Sequence, residues 1–349
     1  MASAGSPGRV ERVPGSISVI VTVLNDPRVE RTIRSLLRQR RAPLEILVDD
    51  GGRGDAVRQI AVRLAAEDPR VVHLDAPGTI PESRNIALGR ARGELIAFLD
   101  ADEEAPSGWL DTLCAPFAEP AVGFTGGPTP AMAGTTRNIG ARFYDGYLRR
   151  FYDVEARAHP HALPMGNSAW RARVFDTVGL LDASFLPGTG NEDQEVALRA
   201  IRAGFRGVYV PEAEVAHDFT DMSMSALLRK QRRYAEGGYA VWRRTGATYE
   251  ARPGRIAPYV VAPALVVAGA LLLPFGPTRL WGEWVLLAGA GLFLAMALAL
   301  TVSGLRLDRR YPGLRWRVLE IPRRWATLYG AFQGWRRFGR SASPGTARP

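Results

Sequence analysis

The sequence predicts an α/β fold of the doubly wound type, followed by an apolar helical hairpin and a basic tail. Three observations carry this. Short apolar runs alternate with helical stretches through residues 16–250, polar residues collect where the runs end, and beyond Glu250 the chain turns first apolar and then strongly basic. Strands alternating with helices are the pattern of a parallel sheet covered on both faces.

The elements follow in order. Residues 17–23 are an almost unbroken apolar run, as a strand buried on both faces requires. Helical spacing follows over 30–38. Residues 45–48 form a second buried strand, closed by the turn signal Asp49-Asp50-Gly51-Gly52. Helix is predicted over 56–66, strand over 71–74, helix over 82–91, strand over 95–99 and an amphipathic helix over 222–244. Ligands of such sheets bind beyond the carboxyl ends of the strands, where Thr22, Asp50, Asp100 and Asp102 fall.

Composition narrows the class. Apolar residues make up 46%, enough to exclude wholesale disorder. The formal charge is +10, yet from residue 304 onward eleven arginines face only Asp308 and Glu320, a net +9. Charge so concentrated points to a basic tail rather than a nucleic-acid-binding fold. Cys114 is the single cysteine, so neither an internal disulfide nor a thiolate cage is available, and a small core residue is expected there. Residues 1–15 lack the apolar stretch of a signal peptide and are expected to be a disordered tail, with the domain after them in the cytosol.

Residues 259–275 and 284–302 are uncharged and apolar, each about long enough to cross a ~30 Å hydrocarbon core. A pair of membrane spans over 256–302 is the reading preferred over a buried or interfacial helix pair, since neither run has the polar face of a soluble helix. Arginines flank both ends, which places both in the cytoplasm and makes 303–349 a basic cytoplasmic tail on anionic lipid.

The chemistry-bearing segments are seven. Ile17-Ser18-Val19-Ile20-Val21-Thr22-Val23-Leu24-Asn25 opens the sheet. Glu45-Ile46-Leu47-Val48-Asp49-Asp50-Gly51-Gly52 and Pro81-Glu82-Ser83-Arg84-Asn85 follow. Leu95-Ile96-Ala97-Phe98-Leu99-Asp100-Ala101-Asp102 is a buried strand ending in two carboxylates one residue apart, a spacing that can aim both at one hard cation. Gly166-Asn167-Ser168-Ala169, Gly190-Asn191-Glu192-Asp193-Gln194-Glu195 and the stretch from Val208 to His217 complete the set. Each has a plainer alternative. Asp50 can cap its own turn, Glu192 and Asp193 can answer a helix dipole, and His217 can be structural.

Taken together and in order, these segments resemble family 2 glycosyltransferases with the GT-A fold, over about residues 16–245. One departure is visible: the family's Pro-Thr-Tyr-Asn is here Thr22-Val23-Leu24-Asn25. The resemblance implies a nucleotide-diphosphate sugar donor and a divalent cation, Mg²⁺ or Mn²⁺. It implies that Thr22 and Asp50 hold the base, Arg84 the diphosphate, and Asp100 the ribose or the metal's waters. Asp102 and His217 would ligate the metal, and Asp193 would be the general base. Asn167, Glu192 and Arg233 would lie on the acceptor side. Gln231-Arg232-Arg233-Tyr234 misses by one residue the Gln-x-x-Arg-Trp of processive synthases. The expected activity is therefore inverting transfer of a single sugar to a lipid-linked or cell-surface glycan acceptor at the cytoplasmic membrane face, as in polysaccharide biosynthesis. A processive synthase and a non-catalytic nucleotide-sugar-binding scaffold are the alternatives.

Overall fold

The structure is a computed structural model that describes residues 10–52, 54–184, 190–246 and 253–339. Most of the expected N-terminal tail, Gly188 and Thr189 of the loop before Asn191, and Arg340 and Arg348 of the basic tail lie outside the described residues. The chain divides into two compact units, Met1–Thr135 with Leu148–Phe219, and Thr136–Tyr147 with Thr220–Pro349. The division after Phe219 differs from the expected boundary near 250, because the helix over 224–245 belongs with the elements that follow it.

In the first unit the order is β1 (Val13–Val23), α1 (Val29–Leu37), β2 (Glu45–Asp50), α2 (Asp55–Glu67), β3 (Val71–Asp75), α3 (Ile80–Leu88), β4 (Gly93–Asp100), β5 (Glu103–Glu104), α4 (Trp109–Cys114) and β6 (Val122–Gly126). After α5 (Ile139–Phe151), which belongs to the second unit up to Tyr147, come β7 (Asn167–Arg171), α6 (Ala172–Val178), α7 (Glu192–Arg202), β8 (Arg206–Tyr209) and β9 (Ala216–His217). The main sheet has the order β3-β2-β1-β4-β7-β6-β8. It is mixed rather than wholly parallel: β7 runs antiparallel to both β4 and β6. Strand β1 begins at Val13, inside the stretch expected to be a tail, and a register irregularity separates Val13 from Ile17.

Alternation along β1 explains the two cores. Ile17, Val19, Val21 and Val23 face one side and pack with Ile33, Leu36, Val57, Leu64, Trp109 and Leu113. Ile20 faces the other, with Leu47, Phe98, Phe124, Trp170 and Phe175. Burying such a side chain stabilises by about 1.5–3 kcal/mol, so a strand apolar on both faces is pinned in register. Cys114 is buried as expected.

In the second unit α8 (Met224–Thr245) packs on α11 (Glu320–Phe338), and α9 (Pro253–Leu272) packs on α10 (Arg279–Leu307). Close approach explains the small residues of the second pair: a Cβ at Gly269 would meet the Leu286 backbone, and one at Gly289 would meet Val266. One helical stretch among the described residues, Gly276–Leu307, is long and apolar enough to cross a membrane, with mean hydropathy 2.4. The apolar part of α9, Ala257–Leu272, is shorter. The described part of the basic stretch is no loose tail. Arg323 is buried, bonds Glu320 and Gln231 Oε1, and lies 4.4 Å over the Tyr147 ring.

Candidate functional site

The carboxyl ends of three neighbouring strands meet. Register pairs Thr22 with Asp49 on one side and with Asp100 on the other, and Val23 with Asp50. Asp50 accepts from Gly52 N–H at 2.9 Å and faces His73 Nε2 at 3.3 Å. Asp49 is fully buried. Its burial pushes the carboxyl up to about 7, against the opposing pull of Arg84 and of the Thr22 hydroxyl.

Arg84 is delivered by α3. Thr79 and Glu82 cap that helix reciprocally: Glu82 N–H donates to Thr79 Oγ1 and Thr79 N–H to Glu82 Oε2. The Arg84 side chain then points inward. It donates to Thr22 Oγ1, Asp100 Oδ1 and Glu192 Oε1, each at 3.1 Å. Burial alone would lower its pKa, but Asp100 and Glu192 outweigh that and hold the guanidinium charged. Asp100 needs a glycine opposite it, since a Cβ at Gly166 would run into its carboxylate.

A two-stranded ribbon brings the next pair together. β5 and β9 run antiparallel with Glu103 opposite His217. This sets His217 Nε2 3.2 Å from Asp102 Oδ2 and His217 Nδ1 3.3 Å from Glu103 Oε1. Thr32 fixes the turn by donating to the Ala101 and Glu103 carbonyls. The Asp102 carboxylate is a suitable donor for Mg²⁺ or Mn²⁺, and a carboxylate with an imidazole beside it fits the first-row ion Mn²⁺ better than the oxygen-seeking Mg²⁺. Among the described residues no group of three or more His, Cys, Asp or Glu is arranged to hold an ion alone. Two protein ligands still fit such an ion, which commonly completes its shell with substrate phosphates and water.

The third component is the start of α7. Gly190 and Asn191 both take positive φ, 69° and 74°, and swing the chain into the helix. Asp193 Oδ1 accepts from Gln194 N–H at 2.7 Å and Oδ2 from Met165 N–H at 3.3 Å, so its carboxylate is held in one orientation. Burial raises the Asp193 pKa above the aspartate range despite these bonds. Burial and the neighbouring Asp193 push Glu192 up to about 7.

Thr22, Asp50, Arg84, Asp100, Asp102, Asp193 and His217 all lie in the first unit, at or near the ends of its strands and the starts of its helices. The three residues expected on the acceptor side lie as follows. Asn167 is fully buried, accepts from Trp109 Nε1 and donates to the Pro128 and Ala213 carbonyls. Its side chain is engaged inside the fold and leaves no bond for an acceptor. Glu192 is a buried partner of Arg84, with 5% exposure. Arg233 is exposed on α8, in the second unit. Sequence reasoning passed over Asp49, His73, Glu103 and Arg28. The Asp-Asp and Asp-x-Asp-Glu runs signalled the first and third. His73 and Arg28 carry no local signal.

Residues 18–178 match the family described as Glycosyl transferase family 2. The chain is 28% identical over 303 residues to the pre-mycofactocin glycosyltransferase of Mycobacterium tuberculosis, covering 84% of this chain and 57% of that protein. It is 30% identical over 226 residues to the succinoglycan biosynthesis protein ExoA of Rhizobium meliloti, covering 56% of this chain and 64% of that one. The chain thus spans less than two thirds of the length of these relatives. Among solved structures, the mannosyltransferase PcManGT of Pyrobaculum calidifontis, in complex with GDP-Man and Mn²⁺, superposes with a TM-score of 0.59. The identity is 19%, over 94% of this chain and 88% of that one.

Proposed function

We propose that this chain is a family 2 glycosyltransferase, the family whose model matches residues 18–178, and that it moves a single sugar from a nucleotide-diphosphate sugar to a lipid-linked or glycan acceptor, with inversion at the anomeric carbon. The observation that carries this is Arg84. One buried guanidinium bonds the ends of β1 and β4 and the acidic start of α7, so a cation suited to a diphosphate stands beside the candidate base. The pre-mycofactocin and succinoglycan relatives support a sugar donor, and the GDP-Man and Mn²⁺ of the Pyrobaculum protein support a nucleotide sugar and a divalent cation.

On this reading Thr22 and Asp50 hold the nucleoside, with His73 and Gly52 orienting the Asp50 carboxylate. Arg84 takes the diphosphate. Asp102 and His217 would hold the cation, which when bound offsets diphosphate charge as the nucleotide leaves. Asp193 takes the acceptor hydroxyl proton, and the two backbone N–H groups on its carboxylate aim it. The Asn167 network keeps the floor of the site rigid. In the second unit Gln231 is buried on Arg323, so the segment nearest to a processive motif is structural, which favours single transfer.

The membrane assignment belongs to the same proposal. Leu280, Trp281, Trp284, Leu287, Leu294 and Leu298 of α10 are exposed apolar side chains, a surface suited to lipid. We read α9 and α10 as a spanning hairpin with both ends cytoplasmic, which would tether the catalytic unit to the membrane that carries an embedded acceptor. The test is transfer from a panel of radiolabelled UDP- and GDP-sugars into a lipid extract with Mn²⁺. Label in a lipid of one added sugar is the expected product. Polymer, or binding without turnover, would sink it.

A further inference from the structure

Beside the Asp102–His217 pair stands a guanidinium that the reaction just described does not use. Arg28 opens α1 and is clamped by Asp26. Its Nε lies 2.9 and 3.0 Å from the two Asp26 oxygens, a terminal nitrogen lies 2.6 Å from Oδ2, and its own N–H donates to Oδ1 at 3.0 Å. That clamp fixes the fork. The clamped terminal nitrogen is also 3.8 Å from Asp102 Oδ2, and the other is 3.8 Å from Asp218 Oδ1. Asp218 adjoins His217 in sequence and is paired with Arg31 at 2.9 Å. The turn is tied here as well, since Asp218 N–H donates to the Asp102 carbonyl.

The distances separate two kinds of hold. Contacts at 2.6–3.0 Å to Asp26 are hydrogen bonds, whereas 3.8 Å to Asp102 and Asp218 is within reach of charge attraction but beyond hydrogen-bond length. The Asp26 clamp thus holds Arg28 beside Asp102 by bonds that do not involve Asp102. The three carboxylates also hold it firmly protonated.

We propose that Arg28 is a fixed counter-cation of the Asp102–His217 site, which weakens binding of a free divalent ion and so makes metal entry depend on the diphosphate. A dication coordinated by Asp102 sits next to this positive charge and is repelled by it. A nucleoside diphosphate brings negative charge to both cations and removes the penalty. Metal and nucleotide then bind together, and an ion without its nucleotide is kept out. The proposal rests on the reading that Asp102 and His217 hold the metal.

The experiment measures Mn²⁺ binding to the full chain by the loss of the free-ion electron paramagnetic resonance signal, with and without UDP or GDP. The wild type is expected to bind Mn²⁺ weakly alone and more tightly with one of the nucleotides. Arg28→Gln is expected to bind Mn²⁺ alone about tenfold more tightly, the order of effect of one nearby charge at a half-exposed site, and to lose most of the nucleotide dependence. Arg28→Lys keeps the charge and is expected to match the wild type. Unchanged or weaker Mn²⁺ binding by Arg28→Gln overturns the proposal, as does a Lys variant that binds as tightly as Gln. Asp102→Asn separates the two readings. If it leaves Mn²⁺ binding with nucleotide intact, the metal assignment itself falls. If it abolishes binding while Arg28→Gln changes nothing, only the role of Arg28 falls.

Discussion

On the proposed reading, the carboxylates of Asp102 and Asp193 are suited to different tasks by their surroundings. Asp102 lies half-buried beside an imidazole, whereas both oxygens of Asp193 are on backbone N–H groups. Asp102→Asn should therefore remove metal-dependent turnover, at a cost of several kcal/mol of transition-state stabilisation, and leave the thermal melt of the metal-free protein close to wild type. Turnover within a few-fold of wild type at saturating Mn²⁺ speaks against the metal role. Asp193→Asn should lower acceptor turnover by about 10²–10⁴-fold and spare nucleotide binding. A base works only when deprotonated. With the Asp193 pKa raised by burial, the rate of the wild type should climb with pH along an acid limb that begins above the ordinary aspartate value of about 3.9. A kcat profile measured through the neutral range checks this. Because Glu192 titrates beside it, the limb belongs to the two carboxyls together. Asp49 gives a stability test. The folded protein holds its proton up to about pH 7, while the unfolded chain releases it near the ordinary value of 3.8. Its contribution to stability is thus complete below about pH 4 and is lost as pH rises to about 7. Asp49→Asn, neutral throughout, should gain on the wild type across that window by up to about 1.4 kcal/mol per pH unit in thermal melts. A pH-independent difference would show that Asp49 ionises freely.

Between elements, the decisive contact of the second unit is α8 on α11. Gly330 and Gly334 bring the helices close, since a Cβ at either would meet the α8 backbone. Arg323 then reaches Gln231 and Glu320 in the interior. Arg323 is 1% exposed, so its truncation strands a charge: Glu320, which burial would otherwise protonate, is held ionised by Arg323. Arg323→Ala should cost about 3–5 kcal/mol, the usual penalty for breaking one half of a buried pair. Urea unfolding in mild detergent, followed by tryptophan fluorescence, reads it. A loss below about 1 kcal/mol, the size of an exposed pair, would mean that Arg324, which lies 3.4 Å from Glu320, takes over the pairing.

For the whole molecule, the exposed apolar surface of α9 and α10 predicts membrane attachment that does not depend on charge. Full-length protein should float with liposomes at low and high salt alike, because spans are held by apolar burial rather than by arginines. Release by salt alone would turn the hairpin into an interfacial pair. Deleting 256–349 is a poor version of this experiment, since it also strips α11 from α8. Arginine in place of Leu287 and Leu294, both exposed on α10, is expected to reduce flotation if α10 spans, without removing a buried helix contact.

Local patterning along the chain was enough to establish the α/β class, the strand ends that carry Thr22, Asp50, Asp100 and Asp102, the α3 start with Arg84, and the acidic opening of α7. Each is written in neighbouring residues, through alternation, capping and turn chemistry that act within a few positions. Packing in three dimensions settled the remainder. The antiparallel β7 turned a parallel sheet into a mixed one and drew Asn167 inside. The Asp102–His217 contact joins residues 115 positions apart, Arg84–Glu192 spans 108, and Arg323–Gln231 spans 92. Such pairings depend on which strands and helices become neighbours, and nothing in the local pattern of either partner specifies the other. For the same reason nothing in the sequence singled out Arg28, which the β5–β9 ribbon places beside Asp102 and Asp218, and the stretch expected to be a tail on anionic lipid holds a buried arginine because α11 packs on α8.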